Sequence, residues 1–294
     1  MGNSATFESF FVKEPRKEQL FSLFEEVFGV SEKMLQDFDA RGFWDHTYKP
    51  VSFVHEEKVI ANVSSFTLPL LVNGNVVNAV GIQSVMTHPE YRQRGLMKQL
   101  FSKVLEQIDR QYDCAILFTE NPEFYEYFGF QVLKEYLMTL SYESGEKTDS
   151  SLRKLNFYHE EDIQFIKEKI EESQTLSNMF STLNYKSSFY FNMYEDKWND
   201  KLYYSEKLDA IIVYEVEKKT LKLFGVFAPV FPILDEICSE IPERFTEIEF
   251  YFHPDELGIE DVTYQEFHSG KYLMVRSNHN IQFNRCKFPI LTEF

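Results

Sequence analysis

Val85-Met86-Thr87-His88-Pro89-Glu90-Tyr91-Arg92-Gln93-Arg94-Gly95-Leu96-Met97 joins the end of an apolar strand to the start of a helix. A helix N-terminus exposes unpaired backbone N–H groups and the positive end of the helix dipole. Gly95 carries no Cβ, so a ligand can approach the backbone closely. Arg92 and Arg94 set two forked cations beside it. The combination makes a cradle for phosphate, cationic within an anionic protein. Taken alone, the segment fits a basic, solvated helix start after an ordinary turn as well.

Outward from this junction, apolar spacing alternates between strand and helix. Upstream, Val76 to Met86 reads as a strand, and Asn73-Gly74 predicts a tight hairpin to the strand region Val59 to Val72, interrupted at Pro69. Glu56-Glu57-Lys58 turns the chain back to a strand over Val51 to His55. Two helices precede these. One is opened by Pro15, carries Leu20, Phe21, Phe24, Val27 and Phe28 on one face, and is stopped by Gly29. The other is capped by Ser31 and continued by Met34, Leu35 and Phe38. Thr6 to Lys13 reads as extended. Downstream, Leu96, Leu100, Phe101, Val104, Leu105 and Ile108 form one helical face. Asp113 to Thr119 is a buried-type strand, and Pro122 to Gly129 brackets a short helix. Phe130 to Leu140 reads as a closing strand. The order predicts an α/β domain on a mixed α+β sheet with an antiparallel front half.

Two stretches carry a family resemblance. Arg92-Gln93-Arg94-Gly95-Leu96-Met97, after its strand exit, resembles the acetyl-coenzyme A signature of the GNAT acyltransferase superfamily, usually Gln/Arg-x-x-Gly-x-Gly/Ala. Leu117 to Phe130, with Tyr125-Glu126-Tyr127-Phe128-Gly129-Phe130, resembles its strand, helix and Tyr-x-x-Phe-Gly-Phe segment. The likeness spans about residues 5 to 141. Met97 departs from the usual small residue and brings the loop closer to the branch containing enhanced-intracellular-survival-type aminoglycoside acetyltransferases. The resemblance implies a GNAT fold with acetyl-coenzyme A as co-substrate. It also implies that Val85, Met86 and Thr87 line the pantetheine arm, that the Val85 N–H polarises the thioester carbonyl, and that Arg92, Gln93, Arg94, Gly95, Leu96 and Met97 hold the pyrophosphate. Asn121 would bond the pantetheine or the amine, and Tyr125 would protonate the leaving thiolate. Tyr125 and Tyr127 also suit packing. Glu120 is the nearest acidic candidate for the general base, although a solvated glutamate is the plainer reading. Trp44, Asp45 and His46 stand where this fold lines its acceptor pocket, and Trp44 also suits covering the core.

The second half repeats the order of the first. Leu152 to Phe157 suggests a strand, Glu160 to Glu172 an amphipathic helix around Ile163, Ile166 and Ile170, and Tyr185 to Trp198 an aromatic helical stretch. Ala210 to Val216, the Lys218-Lys219 turn and Leu221 to Phe227 predict a hairpin. A helix follows over Phe231 to Ile241, then strands over Glu247 to Phe252 and Tyr272 to Val275. The turn matching the phosphate cradle reads Ala228-Pro229-Val230-Phe231-Pro232, with no Gly, no Arg and two residues lacking N–H. The expectation is a tandem fold: residues 1–141 as the domain with the cofactor site, 142–150 as a linker, and 151–294 as a degenerate GNAT-like copy or an unrelated α+β domain.

Composition bounds the function. The 294 residues hold 30 Lys+Arg against 47 Asp+Glu, a net charge of −17. Such a balance argues against nucleic acid and anionic membrane surfaces as partners. Residues 1–142 hold 13 basic against 19 acidic residues and residues 143–294 hold 17 against 28, net −6 and −11. An acidic field draws in cations, so a cationic amine is the expected acceptor, small molecule or peptide. Three scattered Cys, no signal-like start and no long apolar run predict a cytoplasmic protein, and the seven His are too scattered for a metal site. Homo-oligomerisation is compatible with the sequence. The reading is an N-acetyltransferase acting by direct attack in a ternary complex; the alternatives are an acyl-CoA-binding module without turnover and a protein-interaction module.

Overall fold

A computed structural model describes residues 11–145, 151–259 and 261–294. The expected extended start over residues 6–10 and the linker residues 146–150 lie outside them. The chain divides into two compact units. One takes the chain to Leu68, then Asn78–Gln131 and Met274–Asn280; the other takes Pro69–Val77, Val132–Leu273 and Ile281–Phe294. Strands and helices are numbered along the whole chain.

The first unit is built on a seven-stranded sheet. Its order is β1 (Phe11–Lys13), β2 (Lys49–His55), β3 (Lys58–Thr67), β6 (Ala79–Thr87), β7 (Cys114–Thr119), β17 (Tyr272–Ser277) and β8 (Gln131–Val132). The ladders from β1 to β6 are antiparallel, and β6 pairs β7 in parallel. Glu56 and Glu57 both adopt positive φ in the turn between β2 and β3, as a two-residue hairpin demands. The helices are α1 (Phe21–Phe28), α2 (Glu32–Ala40), α3 (Leu96–Ile108) and α4 (Glu123–Glu126). Gly29 ends α1 at φ 71°, and the Ser31 Oγ accepts the Met34 N–H at 3.2 Å to cap α2. The six apolar residues expected on one face of α3 are the six it buries. Each contributes about 1.5–3 kcal/mol relative to exposure, which holds α3 and the loop preceding it against the sheet.

The second unit has its own seven-stranded sheet. Its order is β10 (Arg153–Lys154), β12 (Leu202–Ser205), β13 (Ala210–Glu217), β14 (Thr220–Phe227), β15 (Glu247–Phe250), β9 (Glu135–Ser141) and β16 (Thr263–Phe267). Here too three antiparallel ladders precede one parallel pair, β14 with β15. A small sheet of β11 (Phe180–Thr182), β4 (Leu70–Val72) and β5 (Asn75–Val77) completes it. The expected hairpin turn lies between β4 and β5, with Asn73 at φ 48° and Gly74 at φ 74°. The helices are α5 (Glu160–Glu172), α6 (Ser187–Asn192), α7 (Asp196–Asn199) and α8 (Leu234–Glu240). Isoleucines 163, 166 and 170 form the buried face of α5 as expected. No helix among the described residues is long and apolar enough to cross a membrane.

The expected strand over Phe130 to Leu140 is corrected. It breaks after Val132 into β8 and β9, and β9 lies in the second unit's sheet between β15 and β16. The sixth position of the first sheet is taken by β17, from the far end of the chain. Local contacts anchor each choice. Arg276 of β17 forms a forked ion pair with Asp109, the residue that ends α3, and the Ser277 hydroxyl donates to the Asp113 carbonyl at 2.9 Å. On β9, Glu135 accepts from Lys287 Nζ at 2.8 Å and from the Phe288 N–H at 3.0 Å, all three being buried. The aromatic stretch Tyr185 to Trp198 is helical as α6 and α7, whereas β11, β12 and β16 go beyond the expected elements.

Candidate functional site

The first unit opens where its parallel pair ends. β6 and β7 are in register only at Ala79–Cys114, Val80–Ala115 and Gly81–Ile116. Yet β6 runs on to Thr87 and β7 to Thr119. Beyond Gly81 the two strands part, leaving Ile82–Thr87 with one edge free of a neighbouring strand among the described residues. Val85, Met86 and Thr87 lie on that edge. An extended chain with amide groups is the kind of ligand that completes such an edge.

The loop leaving β6 is fastened at both ends. His88 N–H donates to the Ile60 carbonyl at 2.9 Å, a single 3-10 turn covers Pro89–Tyr91, and buried Leu96 anchors the start of α3. Arg92 Nε donates to the Thr87 carbonyl at 3.3 Å, and Arg94 Nη2 to the Glu90 carbonyl at 3.0 Å. The Arg94 guanidinium also lies 4.9 Å over the Tyr91 ring. Both arginines therefore brace the loop while remaining exposed. Gln93 and Gly95 adopt positive φ, 61° and 72°. A Cβ on Gly95 would meet nothing within 4 Å, so its left-handed backbone, rather than crowding by the chain, requires glycine. Among the described residues nothing accepts from the N–H groups of Gln93, Arg94, Gly95, Leu96 or Met97. Five donors and two guanidinium groups suit a polyanion.

At the end of β7, Asn121 N–H donates to the Thr119 hydroxyl at 3.1 Å, while its side chain stays exposed. Tyr125, on α4, is buried between Phe101 and Phe130, with ring centroids 5.3 and 6.3 Å away. Burial pushes its phenol up to about 12, against a smaller opposing pull from its hydrogen bond with Thr119. Glu120 is exposed at the strand end. Trp44 sits in an aromatic cluster with Phe21, Phe38 and Tyr48 at 5.7, 5.5 and 5.2 Å. The Asp45 carboxylate accepts from the Thr47 N–H and hydroxyl, and His46 is exposed. Trp44 and Asp45 thus each have partners within the fold.

A buried polar group on β3 escaped the sequence reading. Asn62 is fully buried in the middle of β3, as is Ser64 two residues on. Its Oδ1 accepts from Ser52 Oγ at 2.7 Å, and its Nδ2 donates to Ser64 Oγ at 2.8 Å and to the Ser84 carbonyl at 2.7 Å. Ser64 Oγ donates onward to the Tyr48 hydroxyl at 2.7 Å, which donates to Ser84 Oγ at 3.0 Å. Burial pushes the Tyr48 phenol up to about 12, so it acts as a donor. The signal was present: an asparagine between apolar neighbours inside a strand, with a serine two residues on along the same face, needs buried partners.

In the second unit the end of the parallel pair is covered by its own chain. β14 and β15 pair from Thr220–Glu247 to Leu223–Phe250, and β14 continues to Phe227. The Ile290 N–H donates to the Tyr251 carbonyl at 3.1 Å, and Leu291 lies against Gly225. Pro229 and Pro232 supply no N–H to the turn that follows β14.

Residues 11–133 match the family model of the acetyltransferase (GNAT) domain. Among solved structures, a GCN5-related N-acetyltransferase from Kribbella flavida is 16% identical with a TM-score of 0.53, over 91% of this chain and 72% of that one. Eis1 from Mycobacterium abscessus is 14% identical with a TM-score of 0.56, over 91% and 73%. A GCN5-related N-acetyltransferase from Anabaena variabilis is 14% identical with a TM-score of 0.54, over 91% and 72%. No curated protein matches the chain. At these identities the likeness is one of fold.

Proposed function

We propose that this chain, with its GNAT-like fold, is an N-acetyltransferase that moves an acetyl group from acetyl-coenzyme A to a primary amine. The observation that carries the reading is the parting of β6 from β7 after Gly81–Ile116, directly before a loop rich in unpaired N–H donors. Acetyl-coenzyme A supplies the acyl group as an activated thioester. In this reading Val85, Met86 and Thr87 bind the pantetheine arm along the free edge. Arg92 to Met97 bind the pyrophosphate through backbone N–H groups. The Val85 N–H stabilises the negative charge that grows on the carbonyl oxygen as the amine nitrogen bonds to the carbonyl carbon. The carbon–sulfur bond breaks, the sulfur leaves with the electron pair, and a proton from Tyr125 returns it to the thiol. Asn121 orients the pantetheine or the amine, and Glu120 is the carboxylate available to take the proton released by the amine. The second unit is a degenerate copy that lacks a cofactor site. Its acidity, with the net charge of −17, favours a cationic acceptor.

One observation favours a second reading. A phenol at about 12 holds its proton more firmly than a thiol does, so Tyr125 suits hydrogen-bond donation better than proton transfer. That fits an acyl-coenzyme A-binding module without turnover. Calorimetric titration with acetyl-coenzyme A, followed by free-thiol release in the presence of spermidine, kanamycin and lysine methyl ester, separates the two. Binding with thiol release supports the enzyme, binding alone supports the module, and no binding removes both.

A further inference from the structure

Along β3 and β6 the register passes from Ser64–Gln83 to Asn62–Met86, so Ser84 and Val85 together stand opposite Val63. This is a β-bulge, with Ser84 at φ 53°, a left-handed conformation that a non-glycine residue adopts at a cost. Peptide groups along a strand face alternate edges, so an extra residue shifts the alternation by one. The bulge therefore decides which groups between Val85 and Thr87 face the free edge and which face β3.

A bulge also interrupts the ladder and leaves peptide groups to be satisfied otherwise. The Ser84 carbonyl is satisfied by the Asn62 side chain at 2.7 Å. A carbonyl only accepts, so the amide nitrogen of Asn62 must face it, and Oδ1 is left to accept from Ser52. Ser64 and Tyr48 extend the chain of hydrogen bonds to the Ser84 hydroxyl. The network runs through Ser52, Asn62, Ser64, Tyr48 and Ser84 and contains no carboxylate or imidazole. It has no group to take a proton from an amine, and its work is geometric.

We infer that Asn62 is a positioning residue for the acyl-transfer site, clamping the bulge at Ser84 so that the Val85 N–H is presented to the carbonyl undergoing attack. The inference rests on the acetyltransferase reading. Loss of the clamp lets β6 relax toward regular pairing with β3. The loop from Arg92 to Met97 is held separately, by Leu96 and the His88–Ile60 bond, and is unaffected. Coenzyme binding through the pyrophosphate loop is thus preserved while the chemical step slows.

The test compares Asn62→Asp and Asn62→Ser with Ser64→Ala in the full chain. Asp replaces the donating amide by an acceptor, and Ser removes the clamp without burying a charge. Ser64→Ala disturbs the same buried network but leaves the Ser84 carbonyl bonded. Thiol release is measured with the three amines above, and amide exchange over residues 82–88 is followed with and without acetyl-coenzyme A. The expected result is a kcat lower by about 100-fold in either Asn62 variant, with KM for acetyl-coenzyme A within about threefold, slower exchange at Val85 in the absence of ligand, and Ser64→Ala near wild type. A kcat within about threefold of wild type, an equal loss in Ser64→Ala, or a KM that rises as kcat falls overturns the clamp. If the wild-type chain releases no thiol and acetyl-coenzyme A protects none of residues 85–87, the acetyltransferase reading fails, and the positioning role goes with it.

Discussion

Leu291 packs its side chain against the backbone of Gly225, so closely that a Cβ on Gly225 would stand 2.9 Å from Leu291 Cδ1. The contact lies where β14 has passed the end of its pairing with β15. Gly225→Ala should therefore overpack this point and destabilise the protein by about 1–3 kcal/mol, read as a lower urea midpoint with an unchanged slope. Acetyl-coenzyme A affinity should not change.

The same filling predicts stoichiometry. Calorimetric titration should give one acetyl-coenzyme A per chain, because among the described residues only the first unit has a free strand edge followed by a donor-rich turn. Two equivalents would mean that the segment around Leu291 gives way to ligand.

The ammonium of Lys287 is buried between Glu135 and Glu293, at 2.8 and 2.9 Å, and also donates to the Phe288 carbonyl. Lys287→Met leaves two carboxylates without their cation and should cost about 3–5 kcal/mol by chemical denaturation. Adding Glu135→Leu should recover part of the loss. Burial holds the Glu135 carboxyl above the ordinary carboxylate range, outweighing the pull of Lys287. A carboxyl raised in the folded state favours folding most when protonated. The deficit of Lys287→Met should accordingly shrink as pH falls toward about 4.3 and widen as pH rises.

Tyr125→Phe removes the hydroxyl bonded to Thr119. Under the acetyltransferase reading kcat should fall by about 100-fold with acetyl-coenzyme A affinity retained. With the phenol raised to about 12, wild-type kcat should show no basic limb from this group below about pH 10. Stability follows the same sign: the contribution of the protonated phenol is complete below about pH 10 and lost as pH rises through 12. Tyr125→Phe should lose less stability over that interval.

Gly95 holds φ 72° with open space where a Cβ would stand. Gly95→Val should strain the loop rather than crowd it, at a cost of about 1–2 kcal/mol. Weaker acetyl-coenzyme A binding, seen by calorimetry, should accompany the strain. Gly95→Asn should be tolerated better, since asparagine visits the left-handed region more readily.

Much of this protein was legible in the chain alone. The spacing of Leu96 to Ile108 determined the buried face of α3, Ser31 and Gly29 set helix ends, and the turns at Glu56-Glu57, Asn73-Gly74 and Lys218-Lys219 were readable from residue type. These features depend on backbone conformation and periodicity over a few residues. The junction from Val85 to Met97 belongs with them, because a strand, a turn and a helix start are all local. Tertiary structure decided the rest. Residue type along Glu135–Ser141 and Tyr272–Ser277 favours strands but does not say which neighbour each strand takes. That choice rests on partners as distant as Asp109 for Arg276 and Lys287 for Glu135. The parting of β6 from β7, the clamp of Asn62 on Ser84 and the seating of Leu291 at Gly225 are likewise long-range. Each depends on where a strand stops pairing, and hydrophobic pattern carries no record of that.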